Sequence, residues 1–144
     1  MDFTICEKVI FRAKDGNKYT SDLLMPFTSS LNSNKVIINE LIIERYRIHK
    51  SEMINTWLNL MTNMGYFKNI ENIEQNIFIA TCLQSNDKQL IVSEKEDYPN
   101  IDYQGLTVYD CDEAIELLRP NNTYIYQNGS ENQISTGSNS SNIK

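Results

Sequence analysis

The stretch "KVIINELIIERYRIHK", residues 35–50, decides the fold because it is compatible with two kinds of secondary structure. Its Ile and Val residues favour a β-strand. Its length and its Glu and Arg residues favour an α-helix, although neither periodicity is regular along the whole stretch. We predict a helix over residues 35–49, and a strand in the same place is the open alternative.

The next stretch, "SEMINTWLNLMTNMG" at residues 51–65, gives a clearer helical signal. Ser51 is a residue type that caps helix N-termini, and Gly65 stands where a left-handed C-terminal cap is expected. Between them, apolar residues recur at helical spacing, which predicts one buried face: Met53, Ile54, Trp57, Leu58, Met61 and Met64. The sequence therefore predicts a helix over residues 52–64.

Two further stretches have the pattern of β-hairpins. In "KVIFRAKDGNKYTSDLLM", residues 8–25, β-prone runs flank Asp15-Gly16, a pair that favours a type I′ turn. In "NIFIATCLQSNDKQLIVSE", residues 76–94, two apolar runs flank a polar turn. We therefore predict hairpins over residues 7–24 and 76–93.

The stretch "YDCDEAIELLRP", residues 109–120, places three acidic residues close together. A Mg²⁺ or Ca²⁺ site needs oxygen ligands from several directions, which this local group does not supply. Asp110 and Glu113 instead have the spacing of a capping box. We predict a short strand over "LTVYD", residues 106–110, then a helix of two turns that stops at Pro120, and no metal site.

These elements combine into a small α+β domain over residues 1–127. Its sheet is predicted to be mostly antiparallel, made of the two hairpins and packed with about three helices. Residues 128–144, "NGSENQISTGSNSSNIK", are rich in Ser, Asn and Gly. Such a segment cannot bury enough apolar surface to offset its ordering entropy, so we predict a disordered tail.

The composition limits the function classes. The chain of 144 residues has a net charge of −6 and a pI of about 4.8, which opposes binding to a phosphate backbone and favours a basic protein surface. No apolar run approaches the ~20 residues of a membrane span. The N-terminal "MDFTICEKVIFRAKDG" mixes charges with apolar residues, unlike a signal peptide. We expect a cytoplasmic protein with no membrane contact.

No motif predicts a catalytic, cofactor or metal site. The glycines form no phosphate-binding loop. Cys6, Cys82 and Cys111 lack the close pairing that zinc sites show, which favours reduced, buried thiols. A lone His49 beside "RYRIHK" is typical of a solvated residue at a helix junction.

Tyrosines flanked by acidic residues in "SEKEDYPNIDYQG", residues 93–105, indicate a partner-binding segment. The alternative is an ordinary surface on which these tyrosines pack at strand ends. The predicted partner-binding residues are Glu94, Glu96, Asp97, Tyr98, Asp102 and Tyr103.

We therefore expect a non-enzymatic protein-binding module: a small acidic inhibitor of the toxin-immunity or phage anti-defence type that covers a basic partner surface. Self-association is left open. One alternative is a winged-helix DNA-binding regulator, with residues 52–64 as recognition helix after the basic Arg45, Arg47, His49 and Lys50. It requires residues 35–49 to be helical. The other is an enzyme whose site residues are dispersed along the sequence.

Overall fold

The computed structural model describes residues 1–29, 32–64, 66–71, 76–97 and 105–119. The predicted tail, residues 128–144, and the predicted domain boundary at residue 127 lie outside the described residues. Within the described part, no helix has the length and apolar character needed to cross a membrane.

Residues 35–50 contain a strand and a helix in succession. Strand β2 is Lys35–Ile38, and helix α2 is Glu40–Arg47. Asn39 separates them, because its side chain accepts a hydrogen bond from the amide of Ile42 at 3.0 Å and so caps α2. The prediction of one helix over residues 35–49 is therefore wrong for its first four residues, where the strand alternative is correct.

The strands form a sheet in which every pairing is parallel. With β2, the strands are β1 (Asp2–Ile5), β3 (Tyr66–Phe67), β4 (Gln89–Ile91) and β5 (Thr107–Tyr109). Their order is β3-β2-β1-β4-β5, so that the two-residue β3 extends a four-stranded sheet at its β2 edge. The prediction of a mostly antiparallel sheet is wrong, while the mixture of helices and strands is confirmed.

The first predicted hairpin, residues 7–24, is wrong. Helix α1 is Glu7–Ala13, and a π-helical turn, Thr20–Leu24, and a 3-10 turn, Met25–Thr28, follow it. Gly16 does adopt a positive φ of 74°, but it does so in the connection after α1. The freedom that makes glycine suitable for a hairpin turn also serves a chain leaving a helix.

The second predicted hairpin, residues 76–93, is also wrong. Its first half is helix α4 (Ile77–Leu83), which Asn76 caps by accepting from the amides of Phe78 and Ile79. Its second half is β4, which pairs with β1 and β5. Most side chains of α4 are buried, so the helix has no polar stripe that distinguishes it from a buried strand.

The predictions of two helices and one strand are confirmed. Helix α3 is Glu52–Met64, and Ser51 accepts from the amide of Ile54 at 3.3 Å. Helix α5 is Cys111–Leu118, and the capping box predicted for it is present. Strand β5 lies inside the predicted residues 106–110.

The core lies between the sheet and the helices that pack on it. Helix α4 contacts β1 and β4, α3 contacts β2 and β3, and α5 contacts β5. The indole of Trp57 donates to the carbonyl of Leu24 at 2.9 Å, and the hydroxyl of Tyr46 donates to the carbonyl of Ile5. Both buried polar groups therefore have partners.

The described residues do not form a winged helix. That topology depended on a helix over residues 35–49 and a hairpin over residues 76–93, and the structure has β2 and α4 there. The DNA-binding alternative loses the fold on which it was based.

Candidate functional site

The carboxyl ends of β1, β4 and β5 form the edge of the sheet that can hold a site. The chain leaves β1 toward β2 on one side and leaves β4 toward β5 on the other side. Where neighbouring parallel strands connect in opposite directions, their carboxyl ends leave a crevice, and ligands of open parallel sheets bind there.

A contact between Arg12 and Ser93 divides this crevice. Arg12 comes from α1, and Ser93 follows β4. One terminal nitrogen of Arg12 donates to the carbonyl and to the hydroxyl of Ser93, both at 3.1 Å. The other donates to the hydroxyl of Tyr19 at 2.9 Å, and the guanidinium lies 4.5 Å from the centre of the Tyr19 ring.

On the β5 side of this contact lies a cavity of about 230 Å³ that we name the acidic cleft. Four carboxylate residues from two places in the chain line it: Glu94, Glu96, Asp110 and Asp112. The other lining residues are Arg12, Ser93, Lys95 and Cys111. Glu94, Glu96 and Asp112 are exposed. The structure thus joins two of the predicted partner-binding residues to the acids of the α5 cap.

The other predicted partner-binding residues are placed less fully. Asp97 ends the short 3-10 turn Lys95–Asp97. Tyr98, Asp102 and Tyr103 lie outside the described residues. The sequence did not predict that Asp110 and Asp112 line the same cleft as Glu94 and Glu96. Residues that follow β4 and β5 lie at the same edge of the sheet only because these strands are parallel.

The negative charge of the chain is concentrated in the segment that forms the acidic cleft. Residues 94–116 contain eight acidic residues and one basic residue, a net charge of −7. The whole chain has a net charge of −6, so all residues outside this segment together carry +1. The molecule is therefore not uniformly acidic.

The single lysine of this segment is engaged by a neighbouring carboxylate. The ammonium of Lys95 lies 2.8 Å from one oxygen of Glu113 and 3.0 Å from the other. The hydrogen bond between Lys95 and Glu113 is the main reason that the pKa of Glu113 is lowered and that of Lys95 is raised. Because both groups stay charged at neutral pH and bind each other, Lys95 cannot offset Glu94 and Glu96 as well.

No family model, curated protein or solved structure matches this chain.

On the other side of the Arg12–Ser93 contact lies a cavity of about 460 Å³ that we name the His49 cleft. Its lining residues come from α1, from the turn between α2 and α3, and from the end of β4: Glu7, Lys8, Phe11, Arg12, His49 and Ser93. His49 is not the solvated residue that the sequence predicted, because only 13% of its side chain is exposed.

The charged pair of Arg45 and Glu7 lies beside His49, whose buried Nε2 atom makes no hydrogen bond within the described residues. Arg45 donates to both carboxylate oxygens of Glu7, with distances of 2.8 to 3.1 Å. The Nε2 atom of His49 lies 3.2 Å from one of these oxygens. The ring of Phe11 meets the imidazole edge-on at a centroid distance of 5.4 Å. Sequence spacing gave no sign of this group, because Glu7 and His49 come from separate elements.

The thiols of Cys82 and Cys111 are unsuited to act as nucleophiles at neutral pH. All three cysteines are buried and form no disulfide. Burial raises the pKa of Cys82 to about 12 and that of Cys111 to about 11, so both stay protonated at neutral pH. Among the described residues, no group of three or more His, Cys, Asp or Glu side chains could hold a metal ion.

Proposed function

We propose that this chain is a non-enzymatic protein-binding module whose acidic cleft binds a basic surface of another protein and covers it. The observation that supports the proposal is the concentration of charge in residues 94–116, which contribute −7 to a chain of −6. Four of the carboxylates of this segment line one cleft at the edge of the sheet although they follow two different strands: Glu94, Glu96, Asp110 and Asp112.

Charge placed in this way acts mainly on the rate of association. A cleft whose lining has an excess of one sign of charge steers an oppositely charged partner toward it, and such steering raises the association rate by about 10- to 1,000-fold at low salt. The attraction weakens as salt rises, because the screening length is only about 10 Å at 0.1 M ionic strength. Such a protein can inhibit a basic active site by occupying it. A cytoplasmic inhibitor of the toxin-immunity or phage anti-defence type acts in this way.

The proposal is tested by affinity capture from lysate of the source cell at low salt, with bound protein and nucleic acid both quantified. The test variant is Glu94→Gln with Glu96→Gln, which removes two exposed charges from the acidic cleft. The matched control is Glu44→Gln with Glu52→Gln, which makes the same chemical change on α2 and α3.

We expect the parent and the control to capture one protein in stoichiometric amount, and the cleft variant to capture much less of it. The captured protein should have a basic surface and should be released by salt. Equal capture by the cleft variant and the control contradicts the proposal. Recovery of nuclease-sensitive DNA in place of a protein also contradicts the proposal.

A second candidate function, an enzyme with a dispersed site, is favoured by one observation. The His49 cleft gathers a histidine and a carboxylate from separate segments at the edge where parallel sheets bind substrates. A screen for hydrolysis of simple carboxylic and phosphate esters tests this candidate, with His49→Gln as the variant. Activity that is lost in His49→Gln supports an enzyme with its site in the His49 cleft. No activity in the parent, or activity unchanged in the variant, contradicts a catalytic site there.

A further inference from the structure

A groove beside α3 is lined mainly by apolar side chains, and we name it the α3 groove. Its lining residues come from α3 and from residues 20–25, and its volume is about 330 Å³. The apolar lining residues are Leu24, Met25, Met53, Ile54, Trp57 and Leu60. Within the described part of the chain, Glu52 is the only charged residue that lines the groove, and Thr20 and Thr56 complete the lining.

The floor of the α3 groove is fixed, and its rim exposes large apolar side chains. Leu24 and Trp57 are buried, and the indole of Trp57 donates to the carbonyl of Leu24 at 2.9 Å, which joins the two walls. Met25, Met53 and Leu60 are 40% to 46% exposed. Exposed apolar side chains that cluster around a groove, unlike single scattered ones, mark a contact surface. Methionine suits such a surface because its flexible side chain adapts to the shape that it meets.

The polar residues of α3 indicate which kind of surface can meet this groove. After Glu52 at the first position of the helix, its exposed polar residues are all Asn or Thr: Asn55, Thr56, Asn59, Thr62 and Asn63. Amide and hydroxyl side chains both donate and accept hydrogen bonds, so a set of them can pair with an identical set. A surface that carries one sign of charge cannot, because its copies repel each other. Beyond its first residue, the outer face of α3 is therefore self-complementary.

The charge distribution of the chain also favours α3 as the place where two copies meet. Each copy has a net charge of −6, so two copies repel each other in most orientations. The segment 94–116 carries −7 of this charge and lines the acidic cleft beyond β4 and β5. Helix α3 instead packs on β2 and β3, toward the other edge of the sheet. Contact through α3 thus joins apolar groups without pairing the two acidic segments.

We propose that the α3 groove binds a second copy of this chain, so that the protein forms a two-fold symmetric dimer. In such a contact each copy contributes the same surface, and the exposed Met25, Met53 and Leu60 of one copy enter the groove of the other. The dimer goes beyond the protein-binding function, because the α3 groove shares no lining residue with the acidic cleft. It would give the protein two acidic clefts and hence two places for a basic partner.

Analytical ultracentrifugation of the full chain over a range of concentrations, at low and at high salt, tests the proposal. A groove of this size is smaller than a standard interface, so we expect a weak dimer with a dissociation constant of about 0.01–1 mM. The mean mass should rise from one chain toward two as the concentration approaches about 1 mM. Salt should strengthen the dimer, because it screens the repulsion between the copies.

Two outcomes overturn the proposal. The first is a mass that stays at one chain up to about 1 mM. The second is a dimer that weakens as salt rises, which would indicate a contact between opposite charges. Capture of a basic partner by the acidic cleft should respond to salt in the opposite direction, so the two proposals fail independently.

Variants at exposed positions place the contact on the α3 groove. Leu60→Glu should raise the dissociation constant of the dimer at least about tenfold, because symmetry puts a carboxylate from each copy into the apolar contact. The matched control is Leu41→Glu on α2, the same change at a leucine that is 39% exposed and does not line the groove. The control should change the constant by less than about twofold.

Met53→Gln is a second variant that adds no charge, and it keeps the test decisive if Leu60→Glu proves unstable in urea. It should raise the dissociation constant about fivefold, because it replaces an apolar side chain of the contact in both copies. Equal weakening by Leu60→Glu and Leu41→Glu, or an unchanged dimer in Met53→Gln, overturns the assignment of the contact to the α3 groove.

Discussion

At the residue scale, the buried thiol of Cys82 makes stability depend on alkaline pH. Burial raises its pKa from 9.0 to about 12, so the thiol stays protonated in the folded protein after it has ionised in the unfolded chain. Its contribution is therefore complete below pH 9 and is lost as the pH rises from 9 toward 12. The free energy of unfolding should fall by about 1.4 kcal/mol per pH unit from this group alone.

Urea unfolding of the parent and of Cys82→Ala across the alkaline range measures this contribution. The variant should be less stable below pH 9 because it leaves a small cavity, and its stability should fall less steeply above pH 9. Parallel curves for the two proteins would show that the thiol ionises equally well in the folded state, contrary to the expectation.

The N-terminus of α5 depends on the side chain of Asp110. This carboxylate accepts from the amide of Glu113 at 2.8 Å, and the Glu113 carboxylate accepts from the amide of Asp110 at 3.0 Å. Asp110→Ala should lower the free energy of unfolding by about 1 kcal/mol, whereas Asp110→Asn keeps an acceptor and should cost only a few tenths. Urea unfolding measures both. An Asn variant as unstable as the Ala variant would mean that the charge, not the cap, stabilises the helix.

At the element scale, Asn39 lies between β2 and α2 and caps the N-terminus of α2. It is 2% exposed, caps α2 through Ile42, and donates to the hydroxyl of Thr81 at 3.0 Å. Asn39→Ala should lower the free energy of unfolding by about 2 kcal/mol, because it removes a cap and leaves a buried hydroxyl without its donor.

The matched control for Asn39 is Asn76→Ala at the start of α4. Asn76 also caps a helix, but it is exposed, and its side chain accepts from the amides of Phe78 and Ile79 in that helix. Its removal should cost about 1 kcal/mol. Urea unfolding that gives equal losses for both variants would contradict the role assigned to the Thr81 contact.

Helices α3 and α5 could be predicted from the sequence because their signals are local. Each has a capping residue directly before it, and α3 has apolar residues at regular helical spacing. Helices α1 and α4 could not be predicted, because each has only seven residues, about two turns. With Phe78, Ala80, Thr81 and Cys82 all buried, α4 shows an apolar run that suits a buried strand equally well.

At the scale of the whole molecule, the parallel sheet had no local signal. Its central strand pairs Phe3 with Val36 on one side and with Gln89 on the other, so the partners are distant in sequence. A hairpin can be predicted from the short turn that joins its two strands. Parallel strands are joined by a long crossover, and the sequence gives no local sign of which strands pair. Both hairpin predictions were wrong because they paired each apolar run with the next apolar run in the sequence.

The candidate sites also combine residues with a local sequence signal and contacts that depend on the topology. Glu94 and Glu96 could be selected because they lie in one acidic, tyrosine-bearing segment. Their proximity to Asp110 and Asp112 follows from the pairing of β4 with β5. The contact of Glu7 with His49 follows from the packing of α1 beside α2. Both clefts are therefore products of topology.

The two sides of one crevice differ in charge. Most of the residues that line the acidic cleft belong to the segment 94–116, which has a net charge of −7, whereas the His49 cleft is lined by Lys8, Arg12 and the Glu7 carboxylate that Arg45 binds. The Arg12–Ser93 contact lies between them. A basic protein should therefore approach this crevice from the β5 side.

The most direct test of that expectation is the association rate between this protein and the partner recovered by capture, measured by stopped flow from low to high salt. The parent and the Glu44→Gln, Glu52→Gln control should slow by about tenfold or more as salt rises. The Glu94→Gln, Glu96→Gln variant should start slower and depend less on salt. Rates that do not change with salt, or equal salt dependence in both variants, would contradict binding through the acidic cleft.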